Sequence, residues 1–300
     1  MSALDRSETG SPRITRPRAG TLFHRFAERT ERFSRFDRLA DGLAEGADRG
    51  MRRAGVKDVL SGSWLGHPLH PLATDAVIGS WTMAVLLDFR EEPADSADRL
   101  LGIGILAAIP TAAAGLSDWA DMTDERTRRM GVVHAASNVA ALFLNVASYL
   151  ARKAGRRRLG RRLTVASGLP LMVGGFLGAH MAYARGVGVS RIVFGEWIEE
   201  WTSVSGPAAL GPDWSEAQAR GLPVLARRPQ GEGASVVSGT CTHCGARLHP
   251  DGDREALRCP NDASVFRAAD GAVLRGPATT PVGRFDVRSG ADPLEVRSPR

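Results

Sequence analysis

The chain divides into one amphipathic stretch, four apolar runs and a region of short alternating segments. From Leu22 to Leu39, Phe23, Phe26, Phe33, Phe36 and Leu39 recur near one helical face with Arg25, Arg29, Arg32, Arg35 and Arg38 between them. That pattern predicts a helix suited either to the headgroup boundary of an anionic leaflet or to packing on the protein's own surface. A weaker helical pattern follows from Leu39 to Leu60. Residues 71–89 carry only Asp75 and Asp88 as charges, residues 100–117 carry none, and residues 130–151 and 163–184 are each 22 residues without a formal charge. A helix needs ~20 apolar residues to cross the hydrocarbon core, so four membrane spans are expected. Glycine-rich pieces such as Gly174-Gly175-Phe176-Leu177-Gly178 favour close helix packing, and Pro110 and Pro170 are expected to kink the second and fourth spans. Beyond residue 190, residues 222–239 read as two strands around a glycine-containing turn, with further short strands at 264–267, 272–274 and 284–287.

The expected fold is therefore multi-domain, an α-helical four-span membrane bundle followed by a small all-β domain. Its parts are a basic tail with an amphipathic helix at 1–63, a four-helix transmembrane domain at 64–190, a connector at 191–213 and the β domain at 214–300. Residues 1–20 read as disordered, and no cleavable signal peptide is expected because no apolar run precedes residue 60.

Charge refines this picture. The net +6 comes from Arg-rich segments beside apolar spans, which reads as membrane-flanking charge, with the lipid bilayer as partner and no nucleic acid. Four spans place the N-terminus and the C-terminal domain on one side. The long Arg-rich N-terminal segment favours the cytoplasm for that side, and the basic loop Arg152 to Arg162 opposes it. All three cysteines lie in one short stretch, which excludes a disulfide framework.

That stretch holds Cys241-Thr242-His243-Cys244 and Cys259-Pro260-Asn261-Asp262, with fifteen residues between His243 and Cys259. Gly245 and Leu248 continue the first loop, Ser264 and Phe266 the second, and Gly276-Pro277-Ala278 and Pro281 follow. Together these resemble a Rieske [2Fe-2S] domain. The resemblance implies one iron held by two thiolates and one held by two imidazoles, the ligands coming from a C-x-H loop and a C-x-x-H loop. Cys241, His243 and Cys259 match three of those ligands. Asp262 stands where the second histidine belongs, and Ala263 where a glycine follows it. Ala246 and Asn261 occupy the positions of the extra cysteines of the high-potential respiratory kind, so that disulfide cannot form.

Replacing an imidazole by a carboxylate adds negative charge and predicts a lowered potential, and Cys244 offers a further thiolate. The stretch also reads as a zinc site of Cys241, Cys244, Cys259 and Asp262, or as a metal-free β module.

A second resemblance rests on Gly66-His67-Pro68-Leu69-His70-Pro71, Gly115-Leu116-Ser117-Asp118-Trp119 and Gly178-Ala179-His180 with Tyr183 and Gly186-Val187-Gly188-Val189. These are similar to an uncharacterised bacterial family of four-span membrane domains. Four spans bring His67, His70, His134 and His180 near the membrane face that carries the C-terminal domain. Ionisable residues in spans default to functional candidates, so these histidines are candidate ligands of a b-type haem or hydrogen-bond partners of a quinone, set against helix capping. The function expected is membrane-anchored electron transfer by an atypical Rieske-type [2Fe-2S] cluster, with a soluble redox partner or a quinone. The rival is a non-redox membrane scaffold or sensor. No nucleophile or general base is evident, and no enzyme reaction is assigned.

Overall fold

Charged residues and glycines set the ends of the long helices. A computed structural model describes residues 22–299 apart from 33, 54, 91–93, 194, 196, 208–209, 232, 252–254, 289 and 291–292. The tail at 1–20 and Phe33 lie outside the described residues, as do the side chains of Phe36 and Leu39. The apolar runs form α4 (Leu69–Asp88), α5 (Ala94–Ala120), α6 (Glu125–Lys153) and α7 (Arg157–Arg185). Asp124 caps α6, its carboxylate accepting from the Thr127 N–H at 2.9 Å. Gly186 ends α7 at φ 68°, where its N–H reaches Ala182 O and the Val187 N–H reaches Met181 O, the paired bonds of a left-handed C-terminal cap. Pro110 and Pro170 lie inside α5 and α7, which continue through them.

Among the described residues three helices, at Asp95–Ala120, Glu125–Lys153 and Arg157–Arg185, are long and apolar enough to cross a membrane. The 20-residue α4 packs along α5, and α6 packs along α7. Large apolar side chains point outward from the bundle: Phe143 is 68% exposed and Met172 73%. An apolar exterior of that kind is stable only against another apolar phase.

The stretch expected to be a basic loop from Arg152 to Arg162 is different. The helices extend into it, and the Arg152 guanidinium is fully buried, 2.5 Å from Asp88 and 3.1 Å from Asp98. A buried cation is tolerated only when paired, and the two acids at the ends of the neighbouring helices provide the pairing.

The predicted helix from 22 to 39 breaks as well. It forms α1 (Leu22–Thr30), a 3-10 turn (Ser34–Phe36) and the start of α2 (Asp37–Arg53), followed by α3 (Lys57–Ser61). These helices pack on the bundle. Phe23 meets Phe176 at 5.5 Å between ring centroids, Glu31 pairs with Arg185, and Arg129 binds Asp37 at 2.6 Å.

The C-terminal part is antiparallel. β1 (Thr202–Ser205), β2 (Ser215–Ala219), β3 (Leu222–Arg227), β4 (Ser235–Ser238), β9 (Asp286–Val287) and β10 (Glu295–Arg297) form one sheet in the order β4-β3-β2-β1-β10-β9. Its edges approach where Phe285 N–H bonds Val236 O at 3.0 Å and Ser238 N–H bonds Gly283 O at 2.8 Å. β5 (His249–Pro250), β6 (Ala256–Arg258), β7 (Val265–Arg267) and β8 (Val273–Arg275) form a second, four-stranded sheet. The stretch read as a connector thus supplies β1, which pairs with β10 at Thr202↔Val296. Phe266, Leu248 and Leu257 are buried with Cys241 and Cys259 in one core beneath the second sheet.

Candidate metal centre

Two short loops of matching build carry the site. In the first, Cys241 N–H bonds Ala246 O at 2.8 Å and Gly245 N–H bonds Cys241 O at 2.9 Å; in the second, Cys259 N–H bonds Ser264 O at 2.8 Å and Ala263 N–H bonds Cys259 O at 3.1 Å. Each turn therefore holds its cysteine by the backbone on both sides. The loops are tied down from outside: Thr242 Oγ1 donates to Thr280 O at 2.7 Å, and the Ala278 N–H donates to Ser264 Oγ at 3.0 Å. This is how the Gly276-Pro277-Ala278 segment of the sequence motif contributes.

The loops bring one ligand atom each from Cys241, Cys244, Cys259 and Asp262 within 4.8 Å of one another. Cys244 Sγ lies 3.4 Å from Cys259 Sγ, and Cys241 Sγ lies 3.5 Å from Asp262 Oδ2. Cys241 and Cys259 are fully buried. His243 stands outside the four, its Nδ1 2.9 Å from Asp262 Oδ2. The Rieske resemblance makes His243 a ligand; in this structure its ring is hydrogen-bonded to Asp262.

Electrostatics favour a ligand-ready carboxylate. Burial works to raise the Asp262 carboxyl, but the His243 hydrogen bond and the Ser264 N–H hold it well below the usual carboxylate range. Burial likewise opposes the His243 imidazolium, and the hydrogen bond and charge of Asp262, with Asp121 and Asp118 behind it, raise its pKa. Among the thiols, Cys259 is pulled down to about 4 by bonds from Cys241 and Cys244, while Cys241 is pushed up as their donor.

The seat of this site is a set of residues that no motif marked. Arg52 of α2 donates to Asp262 O at 3.0 Å, and Asp58 of α3 accepts the Gly276 N–H at 2.8 Å. Lys57, 3% exposed at its side chain, pairs with Asp121 at 2.9 Å and donates to Ser117 O at 2.9 Å. Burial works to raise the Asp121 carboxyl, against the Lys57 charge. Arg191 N–H bonds Thr242 O at 2.7 Å. Helices α2 and α3 are thus a plate joining the bundle to the metal-site loops. A cavity of about 400 Å³ lies at this junction, lined by Asp118, Asp121, Arg191, His243 and Cys244 among others. A charged residue every few positions in an N-terminal helix reads as solvated surface, so the sequence carried no signal for the plate.

The four other candidate histidines do not form one group. His70 and His134 meet, with ring centroids 6.3 Å apart. His180 instead faces His24 at 5.8 Å and Phe176 at 6.0 Å. His67 is exposed, with Nδ1 3.0 Å from its neighbour's carbonyl Pro68 O.

An outward-apolar helical bundle joined to a β domain with a buried thiol and carboxylate group defines the class of protein. Residues 66–191 match the family described as a predicted membrane protein (DUF2231). The chain is also similar to the ferredoxin of carbazole 1,9a-dioxygenase from Nocardioides aromaticivorans IC177, at 20% identity over 34% of this chain and 100% of that one, with a TM-score of 0.28. Another similar structure, at 24% identity over 32% of this chain and 92% of that one and a TM-score of 0.28, is a complex of reduced oxygenase and oxidized ferredoxin in carbazole 1,9a-dioxygenase. No curated protein matches the chain.

Proposed function

We propose that the protein is a four-span membrane protein, α4 being the fourth span, whose C-terminal domain holds an iron centre and passes single electrons to a soluble partner. The observation that carries this reading is the convergence of Cys241, Cys244, Cys259 and Asp262 within 4.8 Å. Tetrahedral thiolate ligands about one ion, with metal–sulfur bonds of ~2.3 Å, stand roughly 3.8 Å apart, close to the 3.4 Å between Cys244 Sγ and Cys259 Sγ. A two-iron cluster divides its ligands into a pair on each iron, a wider arrangement than these four atoms show. Iron bound to three thiolates and a carboxylate supplies a one-electron couple. Asp262 accepts the metal already ionised, and His243 fixes which carboxylate oxygen faces inward.

A second reading, structural zinc, is favoured by the same compact group of three thiols and a carboxylate, since zinc takes such ligands and has no redox chemistry. Iron, acid-labile sulfide and zinc per chain, measured on anaerobically purified protein with EPR before and after reduction, decide between them. One reducible iron without sulfide is expected. Two irons with two sulfides would retain electron transfer on the [2Fe-2S] cluster implied by the loop motif, whereas stoichiometric zinc or no metal would overturn electron transfer.

A further inference from the structure

The two helical hairpins of the membrane domain repeat one device. In the first, His70 of α4 places Nδ1 2.9 Å from Thr111 O of α5; in the second, His134 of α6 places Nδ1 2.7 Å from Gly174 O of α7. The partners are 41 and 40 residues apart along the chain. Four residues beyond each accepting carbonyl is a glycine, on which the imidazole lies. A Cβ at Gly115 would stand 2.7 Å from His70 Cε1, and one at Gly178 would stand 3.0 Å from His134 Cε1. Deeper in the hairpins the correspondence continues, with Trp81 lying against Gly104 in one and Asn145 bonded to Ser167 at 3.2 Å in the other. Matched offsets at two depths mark α4–α5 and α6–α7 as two copies of one unit about a pseudo-twofold axis. His70 and His134 are equivalent residues of the two copies, and they meet across it with ring planes at 78°.

We propose that His70 and His134 form a second metal site, on this axis, for copper(I). Each Nδ1–H is committed to a backbone carbonyl, which fixes the tautomer and leaves the Nε2 lone pair as the donor, the arrangement typical of metal-binding imidazoles. Two imidazoles sharing one ion at about 2 Å from each nitrogen place their ring centroids roughly 6 Å apart; the observed separation is 6.3 Å.

The donor count selects the ion. Zinc requires four ligands, and Asn138, which reaches His134, does so with its amide Nδ2, a donor 3.1 Å from His134 Nε2. Copper is suited to imidazole, and closed-shell copper(I) is satisfied by two nitrogens in line. Its single charge also makes it the least costly such ion to hold among helices. In the ion-free state Asn138 occupies the His134 lone pair, and it turns away on binding. This site is independent of the iron centre and stands or falls without it.

The test is an anaerobic copper(I) titration of the full chain in detergent, read by X-ray absorption. It is repeated on a chain with Cys241→Ser, Cys244→Ser and Cys259→Ser, which removes the competing thiols. One copper per chain with two nitrogen neighbours is expected in the triple-Ser chain. His70→Gln or His134→Gln should each abolish it, because glutamine retains a donor to the backbone carbonyl but has no imidazole, and circular dichroism verifies that each variant is folded. His180→Gln should leave it intact. If the unaltered chain shows no nitrogen-bound copper alongside its thiol site, or if folded triple-Ser chains that also carry His70→Gln or His134→Gln still bind copper, the proposal is wrong.

Discussion

Asp262 joins two jobs in one side chain, since one of its oxygens belongs to the ligand group and also accepts the His243 proton. Replacing it with Asn removes the charge while keeping the shape, so Asp262→Asn is expected to lose most bound metal in elemental analysis, as is Cys244→Ser. His243→Ala should retain the centre but weaken metal affinity by about 10–100-fold, the usual loss when the group behind a ligand is removed. In the metal-free protein the depressed Asp262 pKa has a definite sign. Its stabilising contribution is present above the ordinary carboxylate pKa of ~3.9, and it is lost as pH falls through the lower folded value. Acid unfolding of the metal-free chain should therefore flatten in Asp262→Asn. The Rieske-like loop motif had already singled out Cys241, Cys259 and Asp262, which the fold brings together with Cys244, because each loop is a local turn. That Cys244 rather than its neighbour His243 joins the compact group was not legible, since the two are adjacent in sequence and which one points inward depends on the opposing loop.

At the scale of elements, each hairpin end has its own fastening. Asp124→Ala should cost about 1 kcal/mol through loss of the α6 cap, measured by thermal unfolding in detergent. The Asp124 carboxyl is held below its ordinary range, burial opposing and the bonds from Thr127 prevailing. The difference from the unaltered chain should accordingly shrink as pH falls through that range. At the far end, Arg152→Ala leaves Asp88 only Arg161 at 3.4 Å and Asp98 only Arg157 at 3.3 Å, both partly exposed cations, and should destabilise by less than the ~3–5 kcal/mol of a fully stranded buried charge. The apolar runs announced α5, α6 and α7 because lipid-facing helices must be apolar over their whole length. The helix ends were misplaced where charges are buried: hydropathy reads Arg152 as exposed loop, and only the acids brought from two other helices make its burial affordable. The break after Thr30 was also invisible, because Phe33, Phe36 and Leu39 continue the apolar spacing past it.

For the whole molecule, the decisive contacts run through the α2–α3 plate. Lys57→Ala leaves Asp121, 4% exposed at its side chain, with only the more distant Arg52 at 3.7 Å, and is expected to destabilise the junction by up to about 3 kcal/mol. The β domain should then loosen from the bundle, visible as faster hydrogen exchange across Arg191 and the 241–245 loop while the spans stay protected. The pairing of β1 with β10 has a further bearing on how the protein is made. The six-stranded sheet draws on strands from Thr202 to Arg297, so it cannot close until Arg297 has left the ribosome. The spans, by contrast, are complete as soon as they emerge. The helical bundle and the α2–α3 plate can thus assemble first, and the β domain closes against them only when β10 arrives.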